Sequence, residues 1–260
     1  VAAAREREPR APARPASVAV GKRGAMPLGA TTACSLLVTL VRHGETEVRH
    51  AQTFFSPPLP DLRRHPTRLC RRGAQWNVAG RLQGASDSAL TVSGVEQARA
   101  CGRRLSGRRF DAVYCSPLPR ARRTAELMLA ELDAPPPLLE DARLRERCFG
   151  DWEGLTWDSI EASRAEEVSR ARQDPTYCIP GGGESRDELL ARALTFLDEL
   201  AALARAHTGT PRSRSVLLVT HSATAVAIIK HVLGLPPEAK RTFEVRNLAL
   251  NEIACADVSA

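Results

Sequence analysis

The residues with the clearest chemical potential are Arg42, His43 and Gly44, which follow the apolar run Leu36-Leu37-Val38-Thr39-Leu40-Val41. A short Val- and Leu-rich run reads as a buried strand. Its carboxyl end is where open α/β sheets hold their ligands. Arg42 offers a planar fork suited to phosphate oxygens. His43 can act as a nucleophile or an acid/base near neutral pH. Gly44, without a Cβ, allows a ligand to approach the main chain.

Far downstream a second constellation repeats the design. Ser215-Val216-Leu217-Leu218-Val219-Thr220 is another apolar run, and it ends in His221-Ser222. A helical pattern follows, with Ala225, Val226, Ile228, Ile229 and Val232 on one side. Either histidine alone reads most simply as a structural residue at a strand end, and Arg42 as a solvated side chain. Two buried strands that each deliver a histidine at the carboxyl end can bring both rings to one edge of a parallel sheet, and the pair reads as one site.

The elements that would position these residues alternate along the chain. Leu90-Thr91-Val92-Ser93 opens a helix with Val95, Ala98, Gly102 and Leu105 on one face. Residues 110–116 read as a strand, 119–132 as a helix broken by Pro135-Pro136-Pro137, and 138–153 as short extended chain. A helical stretch is expected over 157–173. Ser185 with Glu188 forms a capping box that opens a long helix. The core face of that helix is expected to be Leu189, Leu190, Ala193, Leu194, Leu197, Leu200 and Ala204. A last strand or pair near 243–245 and 248–254 closes the sheet. The alternation predicts an α/β fold, a three-layer α/β/α sandwich with a mostly parallel central sheet.

Composition bounds the function classes. The 260-residue chain is 43% apolar and has no run long enough to cross a membrane. The aromatic content of 4% argues against base-stacking platforms. The net charge of +7 suggests nucleic acid until its location is considered. Residues 1–25 carry +4 and residues 48–75 carry +5, so the remainder is slightly acidic at −2. The seven cysteines are odd in number and include no Cys-x-x-Cys, which reads as reduced, mostly buried thiols of an intracellular protein without a metal site.

Two segments stand apart. Residues 1–34 form an Ala-, Arg- and Pro-rich N-terminal extension expected to be disordered. Its residues 1–25 read as organelle-targeting sequence, as part of a truncated longer product, or as sequence upstream of a start at Met26; the last is favoured. Residues 48–75, with Pro57, Pro58, Pro60 and Pro66 and six arginines, form an irregular insertion in a single domain over 35–258. Closing a loop of that length costs about 3 kcal/mol plus a constant, which does not forbid folding.

With these pieces in place, the chain resembles the histidine phosphatase superfamily, the phosphoglycerate-mutase-like group, over about residues 35–255. The match rests on eight stretches in order: Arg42-His43-Gly44-Glu45-Thr46; Trp76-Asn77 with Gly80-Arg81 and Gln83-Gly84; Leu90-Thr91 with Gly94 and Gln97-Ala98; Ser116 with Leu118, Arg120-Ala121 and Thr124-Ala125; Leu144-Arg145-Glu146-Arg147; Gly150 with Glu153-Gly154; Pro180 to Ser185; and Thr220-His221. Members usually run from the first motif straight into Trp-Asn. The insertion here begins Val-Arg and ends in Gln, residues compatible with intron edges, so a translated, unspliced intron is one reading of 48–75. Ser222 departs from the glycine common after the second histidine, and Cys148 stands where some members carry His.

The resemblance implies a mechanism. His43 would attack phosphorus and form a phosphohistidine, with His221 and Glu146 as the other catalytic groups. Glu146 would protonate the leaving oxygen and then take a proton from water. Arg42 and Arg120 would surround the phosphoryl oxygens with His221, and Asn77 and Gln83 would contact phosphate or substrate. The implied function is a metal-independent phosphomonoesterase acting on a small phosphorylated metabolite, with no cofactor and no metal. Asp151-Trp152-Glu153-Gly154 and the short 150–180 stretch resemble the phosphatase branch, and the loop 179–185 resembles that of metal-independent phosphoserine phosphatases. The alternatives are a cofactor-dependent phosphoglycerate mutase and a non-catalytic phospho-ligand binder. The expected setting is the cytoplasm or an organelle, with no nucleic-acid or membrane partner and a homodimer as the candidate assembly.

Overall fold

The computed structural model describes residues 16–20, 34–46, 81–206, 214–240 and 243–256. Their centre is a sheet built around two parallel strands, β2 (Cys34–Arg42) and β5 (Arg214–Thr220). Beside β5 lie β3 (Ala112–Cys115) and then β4 (Leu138–Glu140), both parallel to it. On the other side of β2 runs β6 (Leu250–Ala256), antiparallel, followed by β1 (Ala16–Val20), which is parallel to β6. The order is β1-β6-β2-β5-β3-β4. The sheet is therefore mixed but mostly parallel in its pairings, as the alternating pattern requires.

Strand side chains alternate between two helical layers. Leu36, Val38 and Leu40 of β2, with Val216 and Leu218 of β5, pack against α5 (Arg186–Ala206) and α6 (Ser222–Val232). Val41, Leu217 and Val219 face the opposite layer, formed by α1 (Val92–Leu105) and α2 (Pro119–Leu129). Residues 216–220 of β5 are buried without interruption because both faces are covered. A third, smaller core of Phe149, Trp152, Ile160, Val168 and Ile179 lies under α3 (Trp157–Ser163) and α4 (Ala165–Gln173).

Several expectations need correction. Ala16–Val20 falls within the extension read as disordered, yet its backbone pairs with Asn251–Cys255, using an edge that β6 would otherwise leave open. The helix expected over 157–173 is two helices, divided at Arg164 (φ −140°, ψ 38°). The buried face of α5 is Leu189, Ala193, Phe196, Leu200 and Ala204, whereas Leu190, Leu194 and Leu197 are only partly covered. No strand forms at 243–245; that segment is a loop, and β6 pairs on both sides instead of closing the sheet at an edge. Cys178 is exposed, while Cys101 and Cys115 are buried free thiols, pushed up by burial to about 11 and about 12. The insertion at 48–75 lies outside the described residues.

Candidate active site

β2 and β5 run side by side in a register that pairs Arg42 with Thr220. The next residue of each is a histidine, and His43 N–H donates to Thr220 O at 2.9 Å. The two rings therefore meet at the carboxyl edge of the sheet, with centroids 5.0 Å apart and planes inclined at 60°. Both side chains are buried. Sequence spacing left this meeting open, and strand register decides it.

A hydrogen bond fixes the role of the His43 ring. His43 Nδ1 lies 2.7 Å from Gly44 O, and a carbonyl only accepts, so Nδ1 carries the proton and Nε2 presents its lone pair. His221 Nε2 lies 2.8 Å from Ser116 Oγ. Ser116 Oγ also accepts from Leu118 N–H, and its hydroxyl holds the His221 ring in place through Nε2 in either tautomer. Burial, then the charges of Arg120 and Arg42, hold His43 well below the ordinary histidine range. His221 is lowered chiefly by burial, with Arg120 and His43 adding to it. Both rings are neutral at physiological pH.

Gly44 does something other than expected. Its N–H donates to Thr124 Oγ1 at 3.0 Å, and a Cβ there would lie 2.9 Å from Gly94 O. The close approach comes from the first turn of α1, not from a ligand. Gly94 is equally constrained, since its Cβ would meet Glu45 O at 2.2 Å. Thr91 caps this helix by accepting from Gly94 N–H and donating to Glu45. The strand end and the helix start are locked together.

Arg120 lies in the first turn of α2 and is 1% exposed. Its Nη1 donates to Ser86 O (2.7 Å) and its Nη2 to Gly84 O (2.8 Å). Arg120 Nε and His221 Nδ1 are buried and have no hydrogen-bond partner among the described residues. A buried unpaired guanidinium N–H is costly, and Arg120 Nε beside a pair of histidines suits an anion. Arg42 Nη1 donates to Val245 O at 2.9 Å. Asn247 Nδ2 reaches His43 O at 2.6 Å, and Leu248 N–H donates to Arg42 O from a left-handed backbone (φ 56°). Strain of this kind costs on the order of 1–3 kcal/mol and is tolerated where the surroundings enforce it.

Glu146 sits at the amino end of α6. Its carboxylate accepts from Ala223 N–H (3.1 Å) and Arg147 N–H (3.0 Å), where the helix dipole favours negative charge. Arg42, His43, Gln83 and Glu146 line a common cleft of about 1330 Å³, its open mouth included, with Arg81, Arg147 and Trp157 among the other walls. Gln83 Nε2 donates to Thr46 Oγ1 and Ser88 Oγ, tying the 83–88 loop to the end of β2. Of the residues singled out from the sequence, Arg42, His43, Gln83 and Glu146 line this cleft, His221 packs against His43, Arg120 is bonded to Gly84 O in its wall, and Asn77 lies outside the described residues.

The pattern of known proteins agrees with this geometry. The family model described as histidine phosphatase superfamily (branch 1) matches residues 69–259. The chain belongs to that superfamily. Curated relatives include a "Probable phosphoglycerate mutase GpmB" of Photorhabdus laumondii, 36% identical over 190 residues, covering 71% of this chain and 82% of the relative. A metal-independent phosphoserine phosphatase of Arabidopsis thaliana is 35% identical over 192 residues, 73% and 76% of the two chains. Among solved structures, the alpha-ribazole phosphatase from Shigella flexneri aligns with a TM-score of 0.63 at 27% identity, covering 86% of this chain and 95% of that one. The family match begins at residue 69, after Arg42 and His43.

Beside these, this member of the superfamily holds supporting residues that sequence reasoning did not assign to the site. Ser116 holds the His221 ring through Nε2, and Asn247 anchors the His43 backbone. Arg192 of α5 forms a two-point ion pair with Glu184 (2.6 and 2.9 Å) and donates to Arg143 O and Glu146 O, fastening the segment that carries Glu146. Glu184 and Ser116 lay within recognisable motifs, so their positions were marked without a role. Nothing in the pattern marked Asn247 or Arg192.

Proposed function

We propose that the protein is a metal-independent phosphomonoesterase that hydrolyses a small phosphorylated metabolite through a phosphohistidine. One observation carries the reading: two neutral, buried imidazoles face each other at 5.0 Å, with His43 Nε2 unprotonated. In the proposed reaction His43 Nε2 attacks phosphorus in line. The P–O bond to the leaving group breaks, and the Glu146 carboxyl proton passes to that oxygen. Water then attacks the phosphohistidine, the P–N bond breaks, and the water proton goes to Glu146. Arg42, Arg120 and His221 would hold the equatorial oxygens, a clamp made of groups already fixed in place. The Gln83 carbonyl, and Asn77, are read as contacts to the substrate.

The phosphatase names among the relatives, phosphoserine phosphatase and alpha-ribazole phosphatase, support hydrolysis. The phosphoglycerate mutase name supports the alternative of internal phosphoryl transfer. A panel of phosphomonoesters, phosphoserine and 3-phosphoglycerate included, assayed in chelator separates them. The expected outcome is phosphate release, a trapped acid-labile phosphoenzyme, and loss of both in His43→Ala by at least about 10³-fold. Isomerisation of 3-phosphoglycerate with bisphosphoglycerate and no phosphate release would replace hydrolysis by the mutase reading.

A further inference from the structure

Arg120 is held by main-chain carbonyls of a loop, and that loop has its own anchor. Glu153, which follows the short turn Gly150–Trp152, directs its carboxylate into the 84–86 segment. Oε1 accepts from Ala85 N–H (2.9 Å) and Phe149 N–H (3.1 Å). Oε2 accepts from Ser86 N–H (3.1 Å) and Ser86 Oγ–H (2.8 Å). The carbonyls of this same segment, Gly84 O and Ser86 O, are those that receive Arg120. Gly84 adopts φ +54°, and a Cβ there would lie 1.9 Å from Glu153 Oε1, so the loop can pass the carboxylate only as glycine. Leu82 and Gly154 add two backbone bonds between the segments, Leu82 N–H to Leu155 O and Gly154 N–H to Leu82 O.

We propose that Glu153 is a positioning residue for the phosphoryl clamp: it orients the peptide groups of 84–86 so that their carbonyls aim the Arg120 guanidinium at the phosphoryl site. The proposal rests on the reading of that site as a phosphate site. Its physical basis is the direction of the peptide dipoles. The Ala85 N–H held by the carboxylate belongs to the same peptide as Gly84 O, so holding it turns that carbonyl to the other side, where the cation sits; Ser86 O belongs to the following Ser86–Asp87 peptide and is placed through the two bonds that anchor Ser86 itself. The charge-assisted bonds on one side and the Arg120 bonds on the other reinforce each other. Without the carboxylate the loop amides can rotate, and Arg120 loses the rigid support that holds its buried Nε at the site.

The test uses the full chain with inorganic phosphate as ligand and p-nitrophenyl phosphate as substrate, comparing Glu153→Gln, Arg120→Ala and the double variant. Expected for Glu153→Gln is a loss of at least about tenfold in phosphate affinity and in kcat, with a smaller change in KM. In the Arg120→Ala background the same substitution should change neither by more than about twofold, since the group it acts through is gone. Ser86→Ala removes one bond to the carboxylate and keeps the Ser86 carbonyl. It should lower phosphate affinity about two- to threefold, and it decides the matter if Glu153→Gln does not fold. Two results would overturn the proposal: losses that multiply in the double variant, or a lowered Tm with phosphate affinity and kcat of the folded protein unchanged. Retained turnover in His43→Ala would instead refute the nucleophile while leaving the phosphate-affinity comparison to decide the relay.

Discussion

Each imidazole of the pair is kept neutral by its surroundings, and this has a price in pH dependence. Burial and the neighbouring guanidiniums lower both rings, so the native state refuses protons that the unfolded chain accepts below its histidine value of 6.5. Where the unfolded state binds more protons, stability rises with pH, so acidification through that range must destabilise the fold. Each ring should contribute about 1.4 kcal/mol per pH unit below the unfolded value until the native ring itself titrates. Urea midpoints measured from about pH 7.5 to about pH 5.5 in phosphate-free buffer should fall, and more shallowly in His221→Asn than in the parent. Equal slopes for parent and variant would mean that His221 titrates normally.

Among the elements, α5 does more than cover one face of the sheet. Its capping box is reciprocal, with Glu188 N–H donating to Ser185 Oγ and Ser185 N–H to Glu188 Oε2. One turn further on, Arg192 locks Glu184 and the carbonyls of Arg143 and Glu146 into one network of partly buried groups. Replacing Arg192 by Met leaves the Glu184 carboxylate without its two-point partner, and a stability loss of about 3 kcal/mol is expected. The kinetic effect should depend on the leaving group. Glu146 is the proton donor in the first step of the proposed reaction, so a misplaced Glu146 should slow phosphoenzyme formation from alkyl phosphates, followed in a single turnover, about tenfold or more while sparing its formation from p-nitrophenyl phosphate, whose phenolate leaves without a proton. Equal losses on both substrates would detach Arg192 from the acid.

For the molecule as a whole, the sheet places its chemistry at its centre and its tolerance at its rim. The histidines follow β2 and β5, which are flanked on both sides by further strands. β1 pairs only with β6, at the edge. Deleting residues 1–33 removes that strand and leaves β6 held along β2 by the register from Cys34–Ala256 to Val41–Leu250. The expected outcome is a Tm lowered by a few degrees, about the effect of 1 kcal/mol in a domain of this size, with kcat unchanged. A loss of kcat would mean that the edge pairing reaches the Arg42 and Asn247 contacts through β6. Among the described residues no helix is long and apolar enough to cross a membrane.

The sequence by itself determined the central strands and the residues able to do chemistry, because burial on both faces writes itself as unbroken apolar runs and a reactive residue keeps its identity wherever it lies; the edge strand Ala16–Val20 was not legible in it. It also marked the capping box of α5, a purely local device. Only the tertiary structure decided that Arg42 pairs with Thr220, which puts two histidines 178 positions apart into contact. It also reassigned Gly44 from ligand approach to helix packing, set Phe196 in the core, and gave Arg120, Glu153, Arg192 and Asn247 their partners. These are bonds between side chains and the main chain of distant segments. A carbonyl has no residue type, so its place in a site is invisible until the chain has folded.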